Sequence, residues 1–224
     1  MSERQDVLLR MCDVVLSLNA ADKHGEHLNK IRLQKFIYLT DCVRLLYALL
    51  PPRDNHVTYK HGPYDSTIQH AVDALAFRGF VHIVTIRAKD GGIAADYALT
   101  RAGLGWAKQL EERFSRRGEV IADVALRVDA IGWPRLRALA YAEPTFLLAK
   151  AKGYGQELAV TDSLSNSSAF IITTIENVLN LRGPQKGSEI EVVLDLFFDY
   201  LANFMRLVEE RRLNTDARVQ GVGI

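Results

Sequence analysis

A mostly helical chain with one small β-hairpin, an α+β protein, is what the sequence predicts, and three observations predict it. Apolar residues recur at spacings of three and four along most of the chain. One β-branched run, Val81 to Ile86, is followed by the turn signal Asp90-Gly91-Gly92. The composition is that of an ordinary globular chain: 224 residues, 48% hydrophobic and 25% charged, with a formal net charge of +1.

The first expected helix runs from about Glu3 to Ala20. Val7, Leu8, Met11, Val14, Val15 and Leu18 share one face, and Ser2 with Gln5 forms a capping box. Asp22 to His27, with Gly25, reads as a loop. Asn29 caps a second helix that the pattern carries to Leu50, where Pro51-Pro52 ends it. His56 to Lys60 is short and β-prone. Gly62-Pro63 is a turn, with Pro63 as an early residue of a helix through Ile68, Ala71, Val72 and Leu75 that stops at Gly79. Phe80 to Ile86 and Ala95 to Leu99 pair as the hairpin, and Thr100 caps a helix to about Arg117.

The remainder is read as helical: Val120 to Ile131, Arg135 to Ala142, a segment from Pro144 to near Gly153, Ser165 to Leu181 and Ser188 to Leu213. The tail from Asn214 has no pattern and is expected to be flexible. A helix entering a two-stranded hairpin after two earlier helices is the winged helix-turn-helix order. The expected division is a winged helix-turn-helix domain at 1–117, a helical domain or extension at 118–213, and a tail at 214–224.

Composition excludes several classes. Two cysteines, Cys12 and Cys42, are too few for a disulfide scaffold or a tetrahedral thiolate site, which makes a reducing cytoplasm the expected compartment. The richest apolar stretch, Leu33 to Leu50, is interrupted by Lys35, Asp41 and Arg44, so no membrane span is expected, and the start is not a signal peptide. Residues 1–113 carry 15 basic and 13 acidic side chains, and the rest 13 and 14, so neither half has the basic footprint of a nucleic-acid-binding domain.

The segments Lys30-Ile-Arg-Leu-Gln-Lys-Phe-Ile-Tyr-Leu39, Tyr59-Lys-His-Gly-Pro-Tyr-Asp65 and Leu75 to Phe80, with Tyr97-Ala-Leu-Thr100 and Gly103, resemble the small prokaryotic winged-helix proteins of the YwgA-like and SocA-type (Panacea) antitoxin groups. The resemblance covers about residues 28–105. Phe36-Ile37 stands where those groups carry leucines, and the helical C-terminal half has no counterpart. The resemblance implies a non-catalytic protein of regulation, toxin neutralisation or phage defence, with a protein partner encoded nearby.

No triad, carboxylate pair or phosphate loop stands out, so no catalytic residue, cofactor or metal is expected. His24 and His27 lack a third ligand in sequence and read as a solvated loop. Gly153-Tyr-Gly155 reads as a helix C-cap and Gly183 to Ser188 as an inter-helix turn. The expected contact surface for DNA or a partner comprises Lys60, His61, Tyr64, Ser66, Thr67, Gln69 and His70, with Arg87 and Lys89 in the wing. Lys30, Arg32 and Lys35, with Arg113, Arg116 and Arg117, supply flanking charge, while Asp65 and Asp73 are a cost against phosphate. Lys35 is alternatively placed against Gly62-Pro63-Tyr64, and Tyr38 and Tyr59 in the core. Phe197, Leu201, Phe204 and Met205 form either the core of a helical bundle or a face for a homodimer or partner. Protein contact is the first expectation, and sequence-specific DNA binding as a dimer is the alternative.

Overall fold

The computed structural model describes residues 3–49, 55–89, 92–160, 166–182 and 189–220; the side chains at 3–4, 87–89, 92–94, 182, 209 and 211–220 lie outside that description. It is mostly helical with a small antiparallel sheet. The first helix, α1 (Glu3–Lys23), is followed by the two-residue strand β1 (Leu28–Asn29) and the helix α2 (Lys30–Val43). The Asn29 side chain accepts from Arg32 N and caps α2 as the sequence predicts. From Leu33 to Val43 every residue of α2 is buried, so this helix is the axle of the molecule.

The chain leaves α2 earlier than its apolar pattern suggests. A 3₁₀ turn, Arg44–Tyr47, follows at once, and Ala48 at φ 52° ends it in the left-handed region. Arg44 itself is pulled into the interior by carboxylates described below. The proposed extension to Leu50 is therefore incorrect, and Pro51-Pro52 lies outside the described residues. The short strands β2 (Val57–Tyr59) and β3 (Gly62–Tyr64) form a hairpin, with Tyr59 opposite Gly62. Pro63 is thus a strand residue rather than an early helical one. The helix α3 (Ser66–Phe77) starts three residues later because the Asp65 side chain caps it, accepting from Thr67 N.

Gly79, at φ 74°, stops α3 as predicted. The strands β4 (Val81–Lys89) and β5 (Gly92–Leu99) form the long hairpin, with a bulge between Ile83 and Thr85. β1 joins the other edge of β5, giving the order β1-β5-β4. Thr100 caps α4 (Arg101–Arg113) by accepting from Gly103 N. The next helix, α5 (Ser115–Ile131), begins just past Phe114, so Arg117 belongs to it and not to the preceding helix.

After a 3₁₀ turn at Trp133–Arg135 come α6 (Leu136–Ala142), α7 (Pro144–Lys150), α8 (Ser167–Arg182) and α9 (Glu189–Gln220). Asn166 caps α8, accepting from Ser168 N and Ala169 N. The polar run at 162–165 and the turn at 183–188, including the capping Ser188, lie outside the described residues, as do Ser2 and 221–224. The expected tail is corrected in part: α9 continues to Gln220 because no glycine or proline interrupts it before Gly221.

Gly153 and Gly155 do more than end a helix. Gly155 N donates to Thr58 O, and Thr58 N to Gln156 O, so this segment runs beside β2. One hydrophobic core extends from Met11 and Val14 through Phe36, Leu39 and Val124 to Phe197 and Leu201. α1 packs on α3, α4 and α5; α2 packs on α6; and α6 packs on α9.

Candidate functional site

Two polar constructions are built around α2, one sealed and one open. The sealed one is an ion-pair network. Arg10 of α1 lies 2.7 Å from Asp41, 2.9 Å from Asp65 and 3.4 Å from Asp13, and all four side chains are fully buried. Arg44 pairs with Asp13 at 2.7 Å and Asp41 at 2.8 Å, while Arg117 reaches Asp13 at 2.7 Å. His56 Nε2 lies 2.8 Å from Asp41.

Burial opposes each of these charges, but the partners outweigh it. Asp41, Asp65 and Asp13 together hold Arg10 more firmly protonated than usual. Arg44, Arg117 and Arg10 hold Asp13 below the ordinary carboxylate range, and Arg10 with Arg44 does the same for Asp41. The network pins α1, α2, α5 and the cap of α3 into one frame. It overturns two expectations: Asp65 faces an interior cation rather than an external phosphate, and Arg117 is not part of a surface patch.

A second buried carboxylate ties α2 to the C-terminal half. Glu143 accepts from Thr145 N, Phe146 N, Ser168 Oγ and Tyr38 Oη, linking α2, α7 and α8. Tyr38 is buried as expected, and burial together with Glu143 pushes its hydroxyl well above the ordinary tyrosine range.

The open construction is a pocket of about 370 Å³ between the first turns of α2 and the β2–β3 hairpin. Lys30, Ile31, Gln34 and Lys35 line it from the helix; Tyr59, His61 and Tyr64 line it from the hairpin. Gln34 staples the two, donating to Asp65 O and accepting from Asp65 N, both at 2.8 Å. Lys35 Nζ donates to Pro63 O at 2.6 Å, so the placement of Lys35 against Gly62-Pro63-Tyr64 is as expected. Gly62 sits at φ 91°, and a Cβ there would come within 2.1 Å of Tyr141 Cε1 and 2.8 Å of Lys35 Cε. Only glycine fits that position.

Lys35 is 2% exposed, and burial, aided by Arg137, pushes its amine down to about 7. Lys30 lies over the Tyr64 ring at 5.9 Å, and the Tyr59 and Tyr64 rings are 5.4 Å apart. Burial, then Asp65, Tyr59 and Asp73, raises the Tyr64 hydroxyl. Tyr59 is 53% exposed, contrary to the core position expected for it.

The expected contact residues therefore divide. Lys60 and His61 are exposed at the β2–β3 turn, and His61 and Tyr64 join the pocket. Ser66 and His70 are exposed on α3, but the Thr67 hydroxyl donates to Asp65 and the Gln69 amide to Asp73. Arg87 and Lys89 sit on β4, with side chains outside the described residues. Arg32 is held by Glu26 at 3.0 Å. His24 lies 3.1 Å from Asp129, and no group of three or more His, Cys, Asp or Glu side chains suited to a metal exists among the described residues.

Phe197, Leu201 and Met205 are buried within the chain and Phe204 is half-buried, so the proposed interaction face on α9 is core. Other apolar side chains of α8 and α9 are exposed, Phe170, Leu181, Leu196, Leu207 and Val208 among them, and Ile175, Val178, Leu196 and Tyr200 line an apolar pocket between the two helices. Phe77 at the end of α3 is 94% exposed, and Ile83, Val84 and Ile86 of the following strand β4 are exposed as well. Sequence reasoning missed these because a helix end and an edge strand show no amphipathic signature of their own.

Fold and site together define a mostly helical α+β protein with an ion-paired interior, a cationic aromatic pocket and apolar side chains exposed on α3, β4, α8 and α9. No described helix is long and apolar enough to cross a membrane. In comparisons with known proteins, no protein-family model matches the chain and no curated protein gives a significant match.

Proposed function

We propose that this protein is a non-catalytic regulatory or accessory protein that acts by docking a protein partner through the surface formed by α3 and β4. The observation that carries this reading is the exposure of Phe77, Ile83, Val84 and Ile86 on two consecutive elements. Aromatic and branched apolar side chains in that setting are what interface cores use. The sheet order β1-β5-β4, with α3 directly ahead of the hairpin, supports a winged helix, although the β2–β3 hairpin stands between α2 and α3. With the resemblance of residues 28–105 to antitoxin-type winged helices, the proposed setting is a prokaryotic defence or toxin–antitoxin locus, in the cytoplasm.

Sequence-specific DNA binding by a dimer is the second reading. One observation favours it: Arg10 cancels the Asp65 charge at the start of α3, leaving Ser66 and His70 exposed there without that repulsion. Against it, α3 itself carries no Lys or Arg, and Arg78, just past its far end, contacts Met11 Sδ. Titrating DNA from the protein's own locus across a salt series separates the two. Protein docking predicts weak binding with little salt dependence. Tight binding that falls steeply with salt would replace it with the DNA reading.

A further inference from the structure

We propose that the pocket between α2 and the β2–β3 hairpin binds a free mononucleotide, with its base against Tyr59 and Tyr64 and its phosphate toward Lys30, Lys35 and His61.

The first argument is charge. In the interior and on much of the surface, cations hold carboxylates: Arg10, Arg44 and Arg117 in the network, Arg127 with Asp123 and Asp195, Arg32 with Glu26, Lys23 with Glu111. Lys30, Lys35 and His61 converge on one cavity, and among the described residues none of the three is ion-paired with a carboxylate. Lys35 shares the lining with Lys30, Tyr59, His61 and Tyr64; burial first and Arg137 on α6 second lower its amine, and it uses one of its three N–H donors on Pro63 O. Its charged form is disfavoured there, and a dianion is what would restore it. A single carboxylate would answer one of these three donor groups, whereas a phosphate can accept from all three.

The second argument is shape and surface. The cavity of about 370 Å³ suits one small molecule and is too small for a strand of several nucleotides. Ile31 and the two tyrosines give it apolar walls, and Tyr59 is a large aromatic ring left half in solvent beside the cations. Aromatic rings next to positive charge are the common means of holding a base and its phosphate. Gln34 and Gly62 fix the two walls, so the site is built before any ligand arrives.

Calorimetric titration of the full chain with adenosine, guanosine, cytidine and uridine 5′-monophosphates tests this. At least one is expected to bind with Kd below about 100 µM. Adenosine-type nucleosides, ribose 5-phosphate and inorganic phosphate are each expected to bind about tenfold more weakly or worse, since each lacks one half of the interaction. Tyr59→Ala and Lys30→Gln, both exposed positions, should weaken binding about tenfold with unchanged thermal melting, while Lys108→Gln on α4 leaves it unaltered. The proposal is overturned if no monophosphate binds below about 1 mM. It is equally overturned if binding survives Tyr59→Ala, or if a trinucleotide binds more than about tenfold tighter than any monophosphate.

Discussion

Replacing Arg10 with methionine removes the cation that Asp13, Asp41 and Asp65 share while keeping a side chain of similar length. The three carboxylates do not suffer equally. Asp13 keeps Arg44 and Arg117, and Asp41 keeps Arg44. Asp65 keeps the two Thr67 donors but no cation. At 2.7–3.4 Å each contact carries about 5–6 kcal/mol of gross attraction at an effective dielectric near 20, against several kcal/mol of desolvation per ion. Breaking such a site from one side costs about 3–5 kcal/mol. For a chain of this size that lowers Tm by roughly 6–20 °C.

The sign of the pH dependence follows from the carboxylates. In the native protein Asp13 and Asp41 are held low, so their contribution is present above the unfolded value of about 4 and is lost as pH falls further. In Arg10→Met, Asp13 and Asp41 lose the part of that depression that Arg10 supplies and titrate higher than in the native protein. The deficit is therefore greatest at pH 7 and shrinks as pH falls toward 4. Urea denaturation at pH 7, 5.5 and 4 measures it, and adding Asp65→Asn should recover part of the loss. A loss under about 1 kcal/mol at pH 7, or one that does not change with pH, would refute the assignment of Arg10 as the charge that holds the frame.

Other outcomes follow from the same geometry. Gly62→Ala forces a Cβ into Tyr141 at a φ of 91°, and thermal melting should show a loss of about 1–3 kcal/mol. Tyr38→Phe takes one donor from buried Glu143 and should cost about 1–3 kcal/mol by urea denaturation. Lys35 is held near 7 in the folded protein and returns to its ordinary value on unfolding, so folding sheds a proton between about pH 7 and 10. Stability should therefore rise with pH in that window by up to about 1.4 kcal/mol per unit relative to Lys35→Met, and a difference that is flat with pH would contradict it.

Much of the fold was legible because its signals are local. The Asn29, Thr100 and Gly79 stops and starts, the β4–β5 hairpin and the helical C-terminal half all follow from caps, turns and periodicity. Where α2 ends was not, because Asp41 and Arg44 look like surface charges until their partners, distant in sequence, are known. The ion network draws on residues from 10 to 117, and no spacing rule connects them. Its one trace was the interruption of an apolar stripe by charges. Pro63 was misplaced because a proline beside a helix start fits N1 and a hairpin strand equally well; the Asp65 cap decides the matter. The pocket was half legible: the two motif segments were singled out, but not that Lys35 is buried, that Tyr59 is exposed, or that both face one cavity.

The most direct test is quantitative binding between this protein and the protein product of each adjacent gene, with wild type compared to Phe77→Asp and Ile86→Lys. Both positions are exposed, so both variants should melt as wild type does. The account predicts a complex with one neighbouring product that each variant weakens by about tenfold or more. A complex unaffected by either substitution, or tight salt-dependent binding to the locus DNA with no protein complex, would contradict it.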